Sequence, residues 1–148
     1  MDDIFFWTRH DKHGYCSNFY RSPVFIDGKI WPTVEHYYQA QKSRDLSEQK
    51  MILRCETPKE AKFAGYHVTL RPDWETVKEE IMLMGLRTKF QQHRDLGKKL
   101  LATEDAALHE DSPWDKYWGY VKGQGQDRLG ILLMQVRDEL RLEAANST

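Results

Sequence analysis

The chain has 148 residues, a length that one domain built around one core accommodates. Its 22 basic and 23 acidic residues leave a net charge of −1, which disfavours a large phosphate-backbone footprint but not a small phosphorylated ligand. Hydrophobic residues at 40% and charged residues at 30% are ordinary, so the unusual feature is aromatic: five Trp, seven Tyr and six Phe make up 12%.

Near the N-terminus, Ile4-Phe5-Phe6-Trp7 predicts a short strand. Val24-Phe25-Ile26 and Lys29-Ile30-Trp31 flank Asp27-Gly28, the dipeptide a two-residue hairpin turn requires. After Pro32 the pattern becomes helical, with Thr33 as cap and Val34, Tyr37, Tyr38 and Gln41 along the helix. Ser47 is the expected start of a second helix carrying Met51, Ile52 and Cys55. Thr57-Pro58-Lys59-Glu60 is a start signal, with Thr at the cap, Pro at the first helical position and Glu reaching back. Gly65 fits a left-handed stop. Asp73 is the expected cap of the longest helix, whose stripe reads Trp74, Val77, Ile81, Met84 or Gly85, and Phe90. Asp95 is expected to cap another helix through Leu100 and Leu101. A loop over 112–127 then leads to a last helix with Leu129, Leu132, Leu133, Val136 and Leu140 on one face. Together these predict an α+β fold: a single, mostly helical domain over residues 1–143 with a small N-terminal hairpin or sheet. Residues 144–148 read as a frayed tail.

Cys16 and Cys55 lack CxxC spacing and read as free thiols of a reducing compartment. The six His residues form no metal-ligand pattern, so neither metal nor cofactor is expected. No apolar run is long enough to span a membrane, and Met1-Asp2-Asp3 does not open a signal peptide, so the expected compartment is the cytoplasm.

Three polar-aromatic segments escape the periodicity. Tyr15-Cys16-Ser17-Asn18-Phe19-Tyr20 reads as a turn with local bonds, or as Ser17 and Asn18 aimed at a ligand with Phe19 as a wall. In Trp31-Pro32-Thr33-Val34-Glu35-His36-Tyr37-Tyr38-Gln39, Glu35 and Gln39 lie four apart on one helix face and can reach one pocket. Ser112-Pro113-Trp114-Asp115-Lys116-Tyr117-Trp118-Gly119 concentrates large aromatics that bury or stack. Beyond it, Gly123 and Gly125 precede a helix start with Arg128, an arrangement that can cradle an anion. The residue types suit a planar, phosphorylated ligand: Trp for stacking, Asn and Gln for polar edges, a carboxylate for chemistry.

At these segments the sequence resembles the NADAR, or YbiA-like, family from about Phe5 to Leu140. The resemblance is carried by Ser17-Asn18-Phe19, Trp31 through Lys42, Arg71-Pro72-Asp73-Trp74, Lys89-Phe90, Asp115 through Gly119, and Arg128 through Met134. It implies N-glycosidase activity, on ADP-ribose linked to guanine or on the phosphoribosylaminopyrimidine intermediates of riboflavin biosynthesis. The implied partner is a small nucleotide-like substrate, with ADP-ribosylated nucleic acid as a further one and no membrane. The family's Glu maps onto Glu35 and its functional Trp residues onto Trp74 and Trp118, with Asp115 as a second acid or a helix cap. Trp74 also begins a buried stripe, so packing is its competing role. Ser17, Asn18, Phe19, Gln39, Gly119 and Arg128 complete the expected substrate-binding set. Tyr66, Tyr120 and Asp127 depart from the family pattern, where Arg, Asp and Asn are usual, near the expected phosphate contacts. A non-catalytic ADP-ribose or nucleotide-binding module is the alternative reading.

Overall fold

Asp27 and Gly28 both take left-handed backbone angles (φ of 53° and 75°), the conformation a tight hairpin turn needs. A computed structural model describes residues 1–147. They form two compact units, residues 21–92, and residues 1–20 with those from His93 onward.

In the 21–92 unit, strands β2 (Val24–Ile26) and β3 (Lys29–Trp31) pair antiparallel, with Val24 opposite Trp31 and Phe25 opposite Ile30. Among the described residues, no third strand continues β2. Instead the Gln92 side chain accepts from Phe25 N (2.9 Å) and donates to Phe25 O (3.0 Å), closing that edge as a strand would.

Helix α1 (Val34–Ala40) follows, capped by Thr33, whose hydroxyl accepts from His36 N. All seven of its residues are buried, because α2 (Leu46–Leu53), α3 (Pro58–Gly65), α4 (Trp74–Gln92) and β3 surround it. Asp45, not Ser47, caps α2, its carboxylate accepting from Ser47 N and Glu48 N. Thr57 and Pro58 start α3 as expected, and the Glu60 carboxylate reaches back to Glu56 N at 3.1 Å. Gly65 does not make the expected left-handed stop. It is the last helical residue, and right-handed Tyr66 follows it as C-cap.

Two expectations for α4 change. Asp73 precedes the helix, but its carboxylate grips Arg71 (2.6 and 3.0 Å) and Arg44 (3.1 Å) instead of capping. The Arg71 hydrogen bonds, joined by the charges of both arginines, outweigh desolvation and hold the Asp73 carboxyl down at about 2. The buried stripe includes Trp74, Met82, Gly85, Leu86 and Phe90, so Gly85 rather than Met84 faces inward, while Val77 and Ile81 are half-buried. Lys89 is fully buried on the same helix, its Nζ 5.2 Å from the Phe90 ring centre.

In the other unit, β1 (Ile4–Phe6) pairs in parallel with β4 (Leu108–Glu110), a strand the sequence reading leaves inside irregular chain. A 3-10 turn covers Gly14–Cys16. α5 (Arg94–Leu101) is capped at His93, which puts Asp95 in its first turn rather than at the cap. α6 (Arg128–Asn146) packs on α5 and β4 and extends past the expected boundary at 143; Thr148 lies outside the described residues. Its buried face includes Leu129, Leu132, Leu133 and Val136, with Arg137 in place of the half-buried Leu140. Arg137 donates to Thr103 Oγ1 (2.9 Å) and Ala106 O (2.7 Å), so its charge is buried against oxygen acceptors.

The architecture is α+β and mostly helical, as the sequence predicts. Gly130 tests how closely α6 sits on β4, because a Cβ there would overlap the Leu108 carbonyl oxygen. Gly130→Ala is therefore expected to cost roughly 2–3 kcal/mol in urea unfolding. A loss under about 0.5 kcal/mol, inside the usual range for a surface substitution, would contradict this packing.

Candidate active site

Within the 21–92 unit, α1 brings Glu35 and Gln39 together one turn apart. The Gln39 amide donates from Nε2 to Glu35 Oε1 at 3.3 Å, and both residues are buried. His36, between them in sequence, is pushed below its ordinary value chiefly by burial, which favours the neutral ring. Its two ring nitrogens meet Thr33 Oγ1 (2.8 Å) and the Cys55 carbonyl (3.0 Å). The carbonyl can only accept, so Nε2 carries the proton and Nδ1 accepts from the Thr33 hydroxyl.

Lys42 joins this cluster, although the sequence reading gives it no role. Its Nζ lies 5.9 Å from the Tyr38 ring centre and 5.7 Å from that of Tyr66. Burial pushes the Lys42 ammonium down, and the negative charge of Glu35 opposes that shift. The signal available in the sequence is the spacing 35, 39, 42, although α1 ends at Ala40 and Lys42 lies in the turn that follows. Trp74 packs against Tyr38 with ring centres 5.1 Å apart and is only 6% exposed, so most of its surface serves packing. Near Arg44 and Arg71 a cavity of about 180 Å³ opens between the 43–45 and 69–72 segments.

The other expected residues fall in the second unit. Ser17 Oγ accepts from Phe19 N at 3.1 Å, the local bond of the turn reading; Asn18 and Phe19 are half-buried. Asp115 Oδ1 accepts from Tyr117 N and Trp118 N, both at 2.9 Å, which closes the turn over 116–118; no helix starts there. The half-buried Trp118 meets Tyr117 edge to face at 5.0 Å. Gly119 is buried where a Cβ would stand 2.7 Å from Ser112 Cβ.

The glycine-rich anion cradle before Arg128 is not formed. Lys122 and Gly123 make a tight turn closed by Val121 and Gln124. The N–H groups of Gln126, Asp127, Arg128 and Leu129 donate to the carbonyls of Lys116, Gly119, Tyr117 and Trp118, so they do not point at an anion.

Two of the departures noted in sequence meet at His109. Its Nδ1 lies 2.6 Å from Asp127 Oδ2 and its Nε2 3.0 Å from Asp3 Oδ2. The ring is stacked on Phe5 at 4.8 Å and on Tyr120 at 5.0 Å. Asp127 itself is left-handed (φ of 52°) and also accepts from Glu110 N at 3.3 Å. Burial alone lowers the imidazole, but hydrogen bonds and charge from Asp127 and Asp3 outweigh it and hold His109 above its ordinary value.

Among the described residues, no group of three or more His, Cys, Asp or Glu could hold a metal ion, and no helix is long and apolar enough to cross a membrane. The family model described as the NADAR domain matches residues 5–141. The N-glycosidase YbiA of Escherichia coli strain K12 is 45% identical over 143 residues, covering 95% of this chain and 89% of that protein. The NMR structure of E. coli YbiA superimposes with a TM-score of 0.89 at 44% identity, covering 98% of this chain and 89% of that one. A Vibrio vulnificus protein named riboflavin biosynthesis protein VVA0006 is 40% identical over 144 residues, which cover 95% of this chain but 39% of its partner in the comparison.

The His109 bridge gives a pH dependence with a definite sign. A histidine raised on folding contributes stability that is complete below its unfolded value of about 6.5 and is lost as pH rises through the raised folded value. Thermal melts of wild type and His109→Gln should differ most near pH 5.5 and converge towards pH 8.5. A gap that is constant across this range would show that the bridge carries no protonation-dependent stability.

Proposed function

Because the chain belongs to the NADAR family, we propose that it is an N-glycosidase that hydrolyses the C–N bond between a ribosyl group and a base. The single observation that carries the reading is the buried Glu35 carboxylate, which Gln39 holds and whose charge acts on the ammonium of Lys42. The proposed catalytic domain is residues 1–143. The 45% identity to an N-glycosidase over most of both chains supports the bond cleaved.

Breaking the C1′–N bond sends its electron pair to the base nitrogen, which takes up a proton, while positive charge builds on the sugar. Glu35 stabilises that cation or takes a proton from the attacking water, whose hydroxyl ends on C1′. The charge of Glu35 favours the ammonium form of Lys42 against its burial, which keeps a cation beside the reacting carboxylate. Asp115 is the second proposed acid, though its engaged Oδ1 supports a role in the 116–118 turn more strongly. Trp118 is the proposed stacking surface, with Ser17, Asn18, Phe19, Gly119 and Arg128 as further substrate contacts. Trp74 contributes through its packing on Tyr38.

The substrate class is ribose phosphate or ADP-ribose linked to a base. The relative named for riboflavin biosynthesis favours a phosphoribosylaminopyrimidine; ADP-ribosylated guanine is the second candidate. The near-neutral charge supports a compact ligand over long nucleic acid. Cys16 and Cys55 are not joined in a disulfide, which suits the proposed cytoplasmic setting.

Two phosphoribosylaminopyrimidines and ADP-ribosylated guanine DNA, offered side by side, separate the substrates by release of ribose 5-phosphate or ADP-ribose. Glu35→Gln should lower turnover on the preferred substrate by about 10²–10⁴-fold while binding survives. Normal turnover by this variant removes Glu35 from the mechanism. Binding by wild type without any cleavage makes the chain a non-catalytic reader.

A further inference from the structure

We propose that Gly65 and Gln39 form a positioning pair that holds the Glu35 carboxylate in its working orientation. The proposal rests on the reading of Glu35 as the reacting carboxylate and adds two residues that act through it.

Gln39 is 3% exposed, so its amide has no water to turn to. Its two ends have different fates. Nε2 donates to Glu35 Oε1, whereas Oε1 is buried with no hydrogen-bond partner. The orientation follows from chemistry, since an amide oxygen turned towards a carboxylate would be repelled and would leave the NH₂ group stranded. A leucine or methionine would fill much the same space without stranding an acceptor. An amide at this position is therefore explained by what its NH₂ group does to Glu35.

Gly65 explains how the stranded oxygen is tolerated. It ends α3 directly against Gln39: a Cβ at 65 would overlap Oε1, stand 2.8 Å from Cδ and lie 3.2 Å from Gln39 Cβ. The oxygen faces backbone Cα–H, a weak donor, at a place no other residue leaves open. Gly65 has no positive φ to require glycine, so close approach is the remaining physical reason for it. With α3 seated there, the Gln39 amide cannot swing away from Glu35 without displacing a helix. Gly65 thus acts through Gln39, and Gln39 through Glu35; neither need touch the substrate.

The sequence reading assigned Gln39 to substrate binding and Gly65 to a helix stop. A substrate contact and a positioning contact predict different kinetics. Loss of a contact made equally in ground and transition states raises KM, whereas a misplaced carboxylate lowers kcat.

The test uses Gln39→Ala, Gly65→Ala and the double variant, in which the shortened side chain makes room for the new methyl. Each single variant should lower kcat about tenfold or more with KM within about twofold, the scale of a lost hydrogen bond to a charged group. The double variant should recover much of the Tm lost in Gly65→Ala but none of the kcat. Restored kcat in the double variant, or a KM effect alone in Gln39→Ala, overturns the proposal.

A second readout needs no turnover. In a ¹³C-glutamate titration, with Glu35 assigned by its loss in Glu35→Gln, the Glu35 midpoint should rise in Gln39→Ala and in the double variant. An unchanged midpoint overturns the pair. A raised midpoint in a protein whose wild type cleaves none of the offered substrates keeps the pair and sinks the hydrolase reading. If Gly65→Ala does not fold, Gln39→Ala and the double variant still decide both measurements.

Discussion

A seven-residue helix with no exposed face imposes the main demand on the 21–92 unit. α1 carries Glu35, His36 and Gln39 into the interior, and each needs a partner there, because a buried polar group without one costs free energy. His36 finds Thr33 on one side and the Cys55 carbonyl on the other, so one imidazole ties the start of α1 to the end of α2. Gln39 spends its donors on Glu35, and its oxygen requires α3 to arrive with glycine at 65. The places of α2 and α3 are thus tied to the polar chemistry of α1 as well as to apolar contact. Elements that stabilise this unit and elements that orient the carboxylate are largely the same residues.

How much of this was legible depends on where the deciding interaction lies. The Asp27-Gly28 hairpin and the caps at Thr33 and Thr57 can be read from sequence because the relevant bonds span a few residues. The Glu35–Gln39 pair is local for the same reason. The phase of α4 is not, since Val77 and Ile81 compete with Met82 and Leu86 for the inner face and tertiary packing chooses the latter pair. Nor is β4, whose Leu-His-Glu sequence becomes a strand only because β1 lies beside it. Gly65 was misread because a glycine at a helix end has two physical explanations, φ and proximity, and only coordinates distinguish them.

The segment from 112 to 128 shows the same limit in a functional setting. Its glycines and following helix suggest an anion cradle, yet the chain folds back and uses those N–H groups on its own carbonyls. Charge in this unit serves architecture instead. Asp127 and Tyr120, which depart from the family pattern the sequence resembles, meet on opposite sides of one role: a carboxylate and a ring that hold His109.

The parallel pair of β1 with β4 joins Ile4 to Leu108 across more than two thirds of the chain. During synthesis the Ile4-Phe5-Phe6 segment leaves the ribosome about a hundred residues before its partner, an interval of roughly 5–20 s at ordinary elongation rates. The 21–92 unit is continuous in sequence and is fully translated within that interval. An apolar strand therefore waits unpaired while the residues behind it fold, and it is then the segment most open to wrong partners. The cost of a long-range pairing falls on yield before it falls on equilibrium stability: sequence changes in the first strand act on the nascent chain as much as on the finished protein.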